Sequence, residues 1–187
     1  MCIDQCRHQA GLTLIELVVF IVVVSIGLAG ILSVLNFTTR SSANPMLLKQ
    51  QVAIAESLLE EIESKPFTYC DPDDANVTTA ASTAGCATLV QGLGPTTATE
   101  NRYNSTDPYD NVGDYAGFSM AGILTPNKVT ISGLAGYSAS VAVAQAGTSV
   151  GLTDNTAALR IDVTVNAPGM SPVTLTGYRF RYAPNSP

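Results

Sequence analysis

The chain has 187 residues, room for one soluble domain and a terminal segment, and carries a formal charge of −6. Its basic residues beyond Arg40 are scattered rather than gathered on one face, so nucleic acid is not an expected partner. The single histidine, His8, stands near the start; beyond it there is no Ser-His or Cys-His pair and no histidine-based zinc site, so neither an enzyme nor a cofactor is expected.

The first element is an apolar run from Leu12 to Leu35, with no charged side chain between residues 17 and 35. About 24 helical residues span roughly 36 Å, enough for a hydrocarbon core of about 30 Å. Glu16 is the exception near its start. A carboxylate in such a segment costs roughly 2.5–3.5 kcal/mol at a bilayer centre on insertion scales. A secretory signal would be shorter and would close on an Ala-x-Ala site, whereas this run ends Ser33-Val34-Leu35-Asn36. Cys2 and Cys6 have no apolar run before them, which excludes a lipoprotein signal. An ordinary single-pass anchor is the simpler alternative, and Glu16 counts against it.

The stretch Gly11-Leu12-Thr13-Leu14-Ile15-Glu16-Leu17-Val18-Val19 resembles the class III signal of type IV pilins and pseudopilins. The resemblance implies a leader, 1–11, removed after Gly11 by a prepilin peptidase on the cytoplasmic face. It implies N-methylation of Leu12 and makes Glu16 the fifth residue of the mature chain. In that family the glutamate pairs with the N-terminal amine of a neighbouring subunit. An unpaired charge in a low-dielectric bundle is penalised and a paired one is not, so the carboxylate acts as a register device. Leu12 stands where the family usually has Phe. The leader is weakly basic, with Arg7 and His8 against Asp4, so charge asymmetry says little about orientation.

Residues 36–66 read as an amphipathic helix continuing into the periplasm. Leu48, Val52, Ala55, Leu59 and Ile62 form its apolar stripe, with Gln50, Gln51, Glu56, Glu60 and Glu63 on the other faces. Pro45 predicts a kink or short break near Asn44, with Asn44 as N-cap of the second half, and Lys65-Pro66 ends the helix. Arg40-Ser41, Pro45, then Ala55-Glu56-Ser57-Leu58-Leu59-Glu60-Glu61-Ile62 and Lys65-Pro66-Phe67 are similar to the MshD and PilV kind of minor pilin. MshD belongs to the mannose-sensitive haemagglutinin pilus system. Asp110-Asn111-Val112-Gly113-Asp114-Tyr115 also looks like an MshD-type signature.

Residues 67–126 read as a loop region, with a Thr/Ala/Gly/Ser tract from Thr78 to Thr99. Cys70 and Cys86 remain as an even pair in the exported part, and a disulfide is the natural state there, against two free thiols. Closing that loop would stabilise by roughly 3 kcal/mol on the chain-entropy model. Asp71, Asp73 and Asp74, then Asp107, Asp110 and Asp114, are acidic clusters with turn residues between them. The second set is a weak calcium candidate; the EF-hand order is absent, and solvated Asp turns are the simpler account. Asn36, Asn76 and Asn104 head sequon-like triplets of a kind that arise by chance in a Thr-rich chain.

Residues 127–187 read as the sheet. Val129–Ile131, Ser138–Ala144, Leu159–Val165 and Val173–Tyr182 carry strand patterns. The last one switches parity at Gly177, where a bulge would reconcile its halves. The expected class is therefore α+β: a long N-terminal transmembrane helix, 12–35 extended by 36–66, on an antiparallel sheet of about four strands within a globular domain, 67–187. By resemblance, the chain is a minor pilin of an MSHA-like type IV pilus, in priming or at the tip. Its partners are the prepilin peptidase, other pilins through helix 12–62, and the inner-membrane assembly platform. It would sit in the inner membrane with a periplasmic domain, then on the cell surface. The alternatives are a type II secretion pseudopilin, or a tip adhesin using Tyr103, Tyr109 and Tyr115.

Overall fold

The computed structural model describes residues 13–187, with the backbone alone for 37–44. The leader 1–11, with Cys2, Cys6, His8 and the Gly11–Leu12 junction, lies outside the described residues. By internal contacts the chain forms two units, residues 1–45 and 46–187.

Helix α1 runs Leu14–Glu63 without interruption and carries Pro45 inside it. The break expected near Asn44 is absent, and Asn44, being helical, does not cap a second helix. A proline deletes one backbone donor, and a helix this long retains its other hydrogen bonds on either side. Of the first unit, Leu14–Asn36 is long and apolar enough to cross a membrane, and every residue of it is exposed.

The second unit contains four strands, β1 (Ser119–Ala121), β2 (Ser138–Gln145), β3 (Ala158–Asn166) and β4 (Val173–Phe180). They form one antiparallel sheet in the order β1-β2-β3-β4. The count matches the expectation, but one member differs. Val129–Ile131 makes only a bridge, Leu124 to Thr130, because a turn at Thr125–Lys128 folds it straight back on its neighbour. β1 lies instead in the segment read as loop, where three residues are too few for periodicity to reveal.

On β2 and β3 alternate residues turn inward: Ala139, Val141 and Val143, then Leu159, Ile161, Val163 and Val165. They share one core with Ala55, Leu58 and Ile62 of α1. Full burial of each larger aliphatic side chain stabilises by about 1.5–3 kcal/mol. The helix face is rotated from the expected stripe. Leu48 is exposed, whereas Gln51, assigned to a polar face, is fully buried. Its Nε2 donates to the carbonyls of Val165 and Ser171 at 3.0 and 3.1 Å, so the polar side chain joins helix to sheet.

There is no bulge at Gly177. β3 and β4 pair in unbroken register from Ala158–Phe180 to Val165–Val173. Gly177 faces the core opposite Ile161, and a Cβ there would stand 2.1 Å from Glu63 Oε1 and 3.0 Å from Leu59 Cδ1. The glycine makes room for the end of α1. The register instead sends Tyr178 and Phe180 to the outer face, beside Arg160 and Ala158, where both are exposed.

Candidate functional site

Two regions carry chemistry. The first is the start of α1, where Glu16 lies in the first turn of the apolar helix and is exposed along with its neighbours. Gly11 and Leu12, the expected cleavage and methylation residues, lie outside the described residues.

The second is the loop region between α1 and the sheet. Within it a disulfide joins Cys70 and Cys86, with an S–S distance of 2.07 Å, and closes the loop between them. Asp74 organises this loop: its two oxygens accept from the backbone N–H of Asn76, Ala87, Thr88 and Leu89 at 2.7–3.0 Å. Those donors, from Leu89, Ala87 and Thr88 above all, hold its carboxyl far below the usual carboxylate range. Asp74 is thereby committed to structure.

Beside it, Val112–Tyr115 forms a buried 3-10 turn. Asn111 caps it, accepting from Gly113 N at 3.1 Å, while Asp114 reaches back to accept from Asn111 N at 2.6 Å. Asn111 Nδ2 donates to Thr68 Oγ1 at 2.8 Å, and Val112 N to the carbonyl of Pro66 at 3.1 Å, which fixes the turn to the end of α1. Gly113 must be glycine: a Cβ there would stand 2.3 Å from the carbonyl oxygen of Gly92. Tyr109, Tyr115 and Phe118 stack edge to face, with centroids 5.0–6.1 Å apart. Two of the three tyrosines considered for an adhesive surface, Tyr109 and Tyr115, are thus buried anchors. Glu61 and Arg102 line, with Ile54, Leu58, Met120 and Ile123, a recess of about 360 Å³.

The turn also gathers carboxylates. One oxygen each of Glu100, Asp110 and Asp114 lie within 4.8 Å of one another, and so do those of Asp71, Asp73 and Asp110. Asp114 accepts from Gln91 Nε2 at 2.7 Å and from Asp110 N at 3.1 Å. Burial, and then the contact with Glu100, drive its pKa up. Asp110 is pushed up to about 7, by burial first and then by the charges of Asp71, Glu100 and Asp73. Of the calcium candidates, Asp110 and Asp114 come together with Glu100. Asp107 lies outside both groups and accepts instead from Thr97 and Thr99 Oγ1 at 2.9 and 2.6 Å. Glu100 gave no signal in the sequence, standing alone after a Thr-rich tract.

Residues 6–32 match the family described as the prokaryotic N-terminal methylation motif. The N-terminal segment is a type IV pilin-like signal. This type IV pilin-like signal implies processing by a prepilin peptidase and assembly with pilins, and its apolar part is the candidate membrane anchor. No curated protein and no solved structure matches the chain.

Proposed function

We propose that this protein is a minor pilin of an MSHA-like type IV pilus, a structural subunit without catalytic activity. The peptidase cuts after Gly11 and methylates Leu12. The helix from Leu12 to Leu35 holds the subunit in the inner membrane, with its domain in the periplasm, and then enters the filament core. The observation that carries this reading is the methylation motif at 6–32 joined to an apolar helix whose lone carboxylate is Glu16. Cleavage creates an ammonium group at Leu12, four residues from Glu16. In an assembled filament that ammonium, on one subunit, neutralises Glu16 of the next, and only subunits in register achieve it. A role in priming or at the tip is supported by the likeness of residues 40–67 to the MshD and PilV kind.

The test is Glu16→Ala in the cells that make the protein. The variant is expected in the membrane, with its leader removed and Leu12 methylated by mass spectrometry of the mature N-terminus, but missing from sheared filaments. Incorporation equal to wild type would overturn the reading. Recovery of the wild type with a secretion apparatus, and not with sheared pili, would favour the pseudopilin alternative.

A further inference from the structure

We propose that Glu100, Asp110 and Asp114, with Asp71 alongside, form a calcium site that locks the loop region onto the end of α1. The grouping alone does not make the case, since acidic clusters are common. The decisive feature is the unused oxygens. Glu100 is 6% exposed, and its Oε2 accepts from Thr96 N at 2.7 Å and Thr96 Oγ1 at 3.2 Å, while its Oε1 is buried and receives no N–H or hydroxyl donor among the described residues; beyond Thr96 its side chain meets the carboxyl of Asp114. Asp110 Oδ1 is buried and unpartnered in the same way. Two buried carboxylate oxygens in one cluster therefore lack an N–H or hydroxyl donor, an arrangement that is unfavourable for charged groups and that a bound cation relieves.

Charge points the same way. Among the described residues the ion pairs are Arg102–Glu61 and Arg160–Asp162, and neither includes a member of the cluster. Lys65 contributes only a through-space offset at Asp110. Asp110 belongs to both groups of carboxylates, so negative charge is concentrated at one point from three separate stretches of loop, 71–73, 100 and 110–114. Such a point takes up either protons or a cation. The donors are all oxygens, which selects a hard cation and disfavours zinc or copper. They come from irregular loops, whose uneven geometry suits calcium, with its six to eight oxygen ligands at flexible angles, better than magnesium, which demands a near-ideal octahedron.

A cation here would crosslink the segment next to Cys70, the Thr-rich tract and the 3-10 turn, which is itself bonded to Pro66. The site does not depend on the filament assignment, because it concerns the domain alone. The test uses the full chain in detergent, freed of metal, with calcium or magnesium chloride added and heat of binding and thermal unfolding recorded. One calcium per chain is expected, with the unfolding midpoint raised by at least about 4 °C at a hundredfold excess over Kd. Glu100→Gln combined with Asp110→Asn should abolish both effects while unfolding in EDTA no earlier than wild type, since it removes buried charge. No heat and no midpoint shift in wild type would sink the proposal, as would a shift that survives in the double variant. An equal response to magnesium would overturn the assignment to calcium.

Discussion

Arg102 donates through Nε and Nη2 to both carboxylate oxygens of Glu61, at 2.7 and 2.6 Å, tying the middle of the loop region to the last turns of α1. Tyr115 adds a third donor to Glu61 at 2.8 Å, and Arg102 lies over the rings of Tyr103 and Phe118 at 5.3 and 5.6 Å. The pair is largely enclosed, Arg102 most of all, so its worth depends on both members being present. Arg102→Ala leaves Glu61 half-buried with one donor and is expected to destabilise by about 2–4 kcal/mol. Glu61→Leu with Arg102→Met removes both charges and should lose less than Arg102→Ala alone. Urea unfolding of the three proteins checks the order, and a double variant weaker than the single one would contradict it.

The same carboxylate sets a pH dependence. Burial works to raise the pKa of Glu61, but hydrogen bonds from Arg102 and Tyr115, with the charges of Arg102 and Lys65, outweigh it and hold the group below its ordinary value. A pKa lower in the folded than in the unfolded chain stabilises the fold fully above the unfolded value, about pH 4.3, and the contribution fades as pH falls through the folded value. The stability gap between wild type and Glu61→Gln should therefore be constant from about pH 6 to 8 and close below about pH 4.3. A gap that widens on acidification would mean that the fold raises the pKa of Glu61 rather than lowering it.

Two closely packed glycines, Gly113 and Gly177, should respond differently to alanine. At Gly113 the new Cβ meets backbone, the carbonyl oxygen of Gly92, which cannot move without breaking the bridge between Gly92 and Gly94. At Gly177 it meets the far ends of Glu63 and Leu59, which can rotate away. Gly113→Ala should cost about 1–3 kcal/mol and Gly177→Ala less than about 1 kcal/mol. Thermal melts of both variants test the ranking, and a larger loss at Gly177 would mean that the helix end is held more rigidly than its side chains suggest.

What the sequence revealed, and what it hid, divides along the reach of the interactions. The methylation motif, the apolar run, the helix end at Lys65-Pro66 and the strands β2 to β4 all follow from neighbours within a few residues, and periodicity reports them. Gln51 reads as polar surface in the sequence because its partners, Val165 and Ser171, lie more than a hundred residues away. Gly177 looks like a bulge in the sequence because the parity switch around it is local, whereas the glycine answers to Glu63 and Leu59 on the helix packed against it. The carboxylate cluster was half legible: Asp110 and Asp114 sit in one short motif, but Glu100 joins them only through the folding of a tract with no pattern of its own.

The disulfide supplies the last prediction. Cys70 and Cys86 enclose a loop with a sequence separation of 16, and Asp74 inside it accepts from the backbone of Asn76 and, just beyond Cys86, from that of Ala87, Thr88 and Leu89. The bond restricts the unfolded chain, and a loop of this size is worth about 3 kcal/mol on the chain-entropy model. Asp74 acts on the folded side, by satisfying amides that would otherwise face its buried surroundings unpaired. Because one restrains the unfolded state and the other the native loop, their losses should add when Cys70→Ser/Cys86→Ser is combined with Asp74→Ala. Denaturant unfolding gives each loss. If Asp74→Ala costs nothing once the disulfide is gone, the carboxylate holds the loop only while the crosslink presents the amides to it.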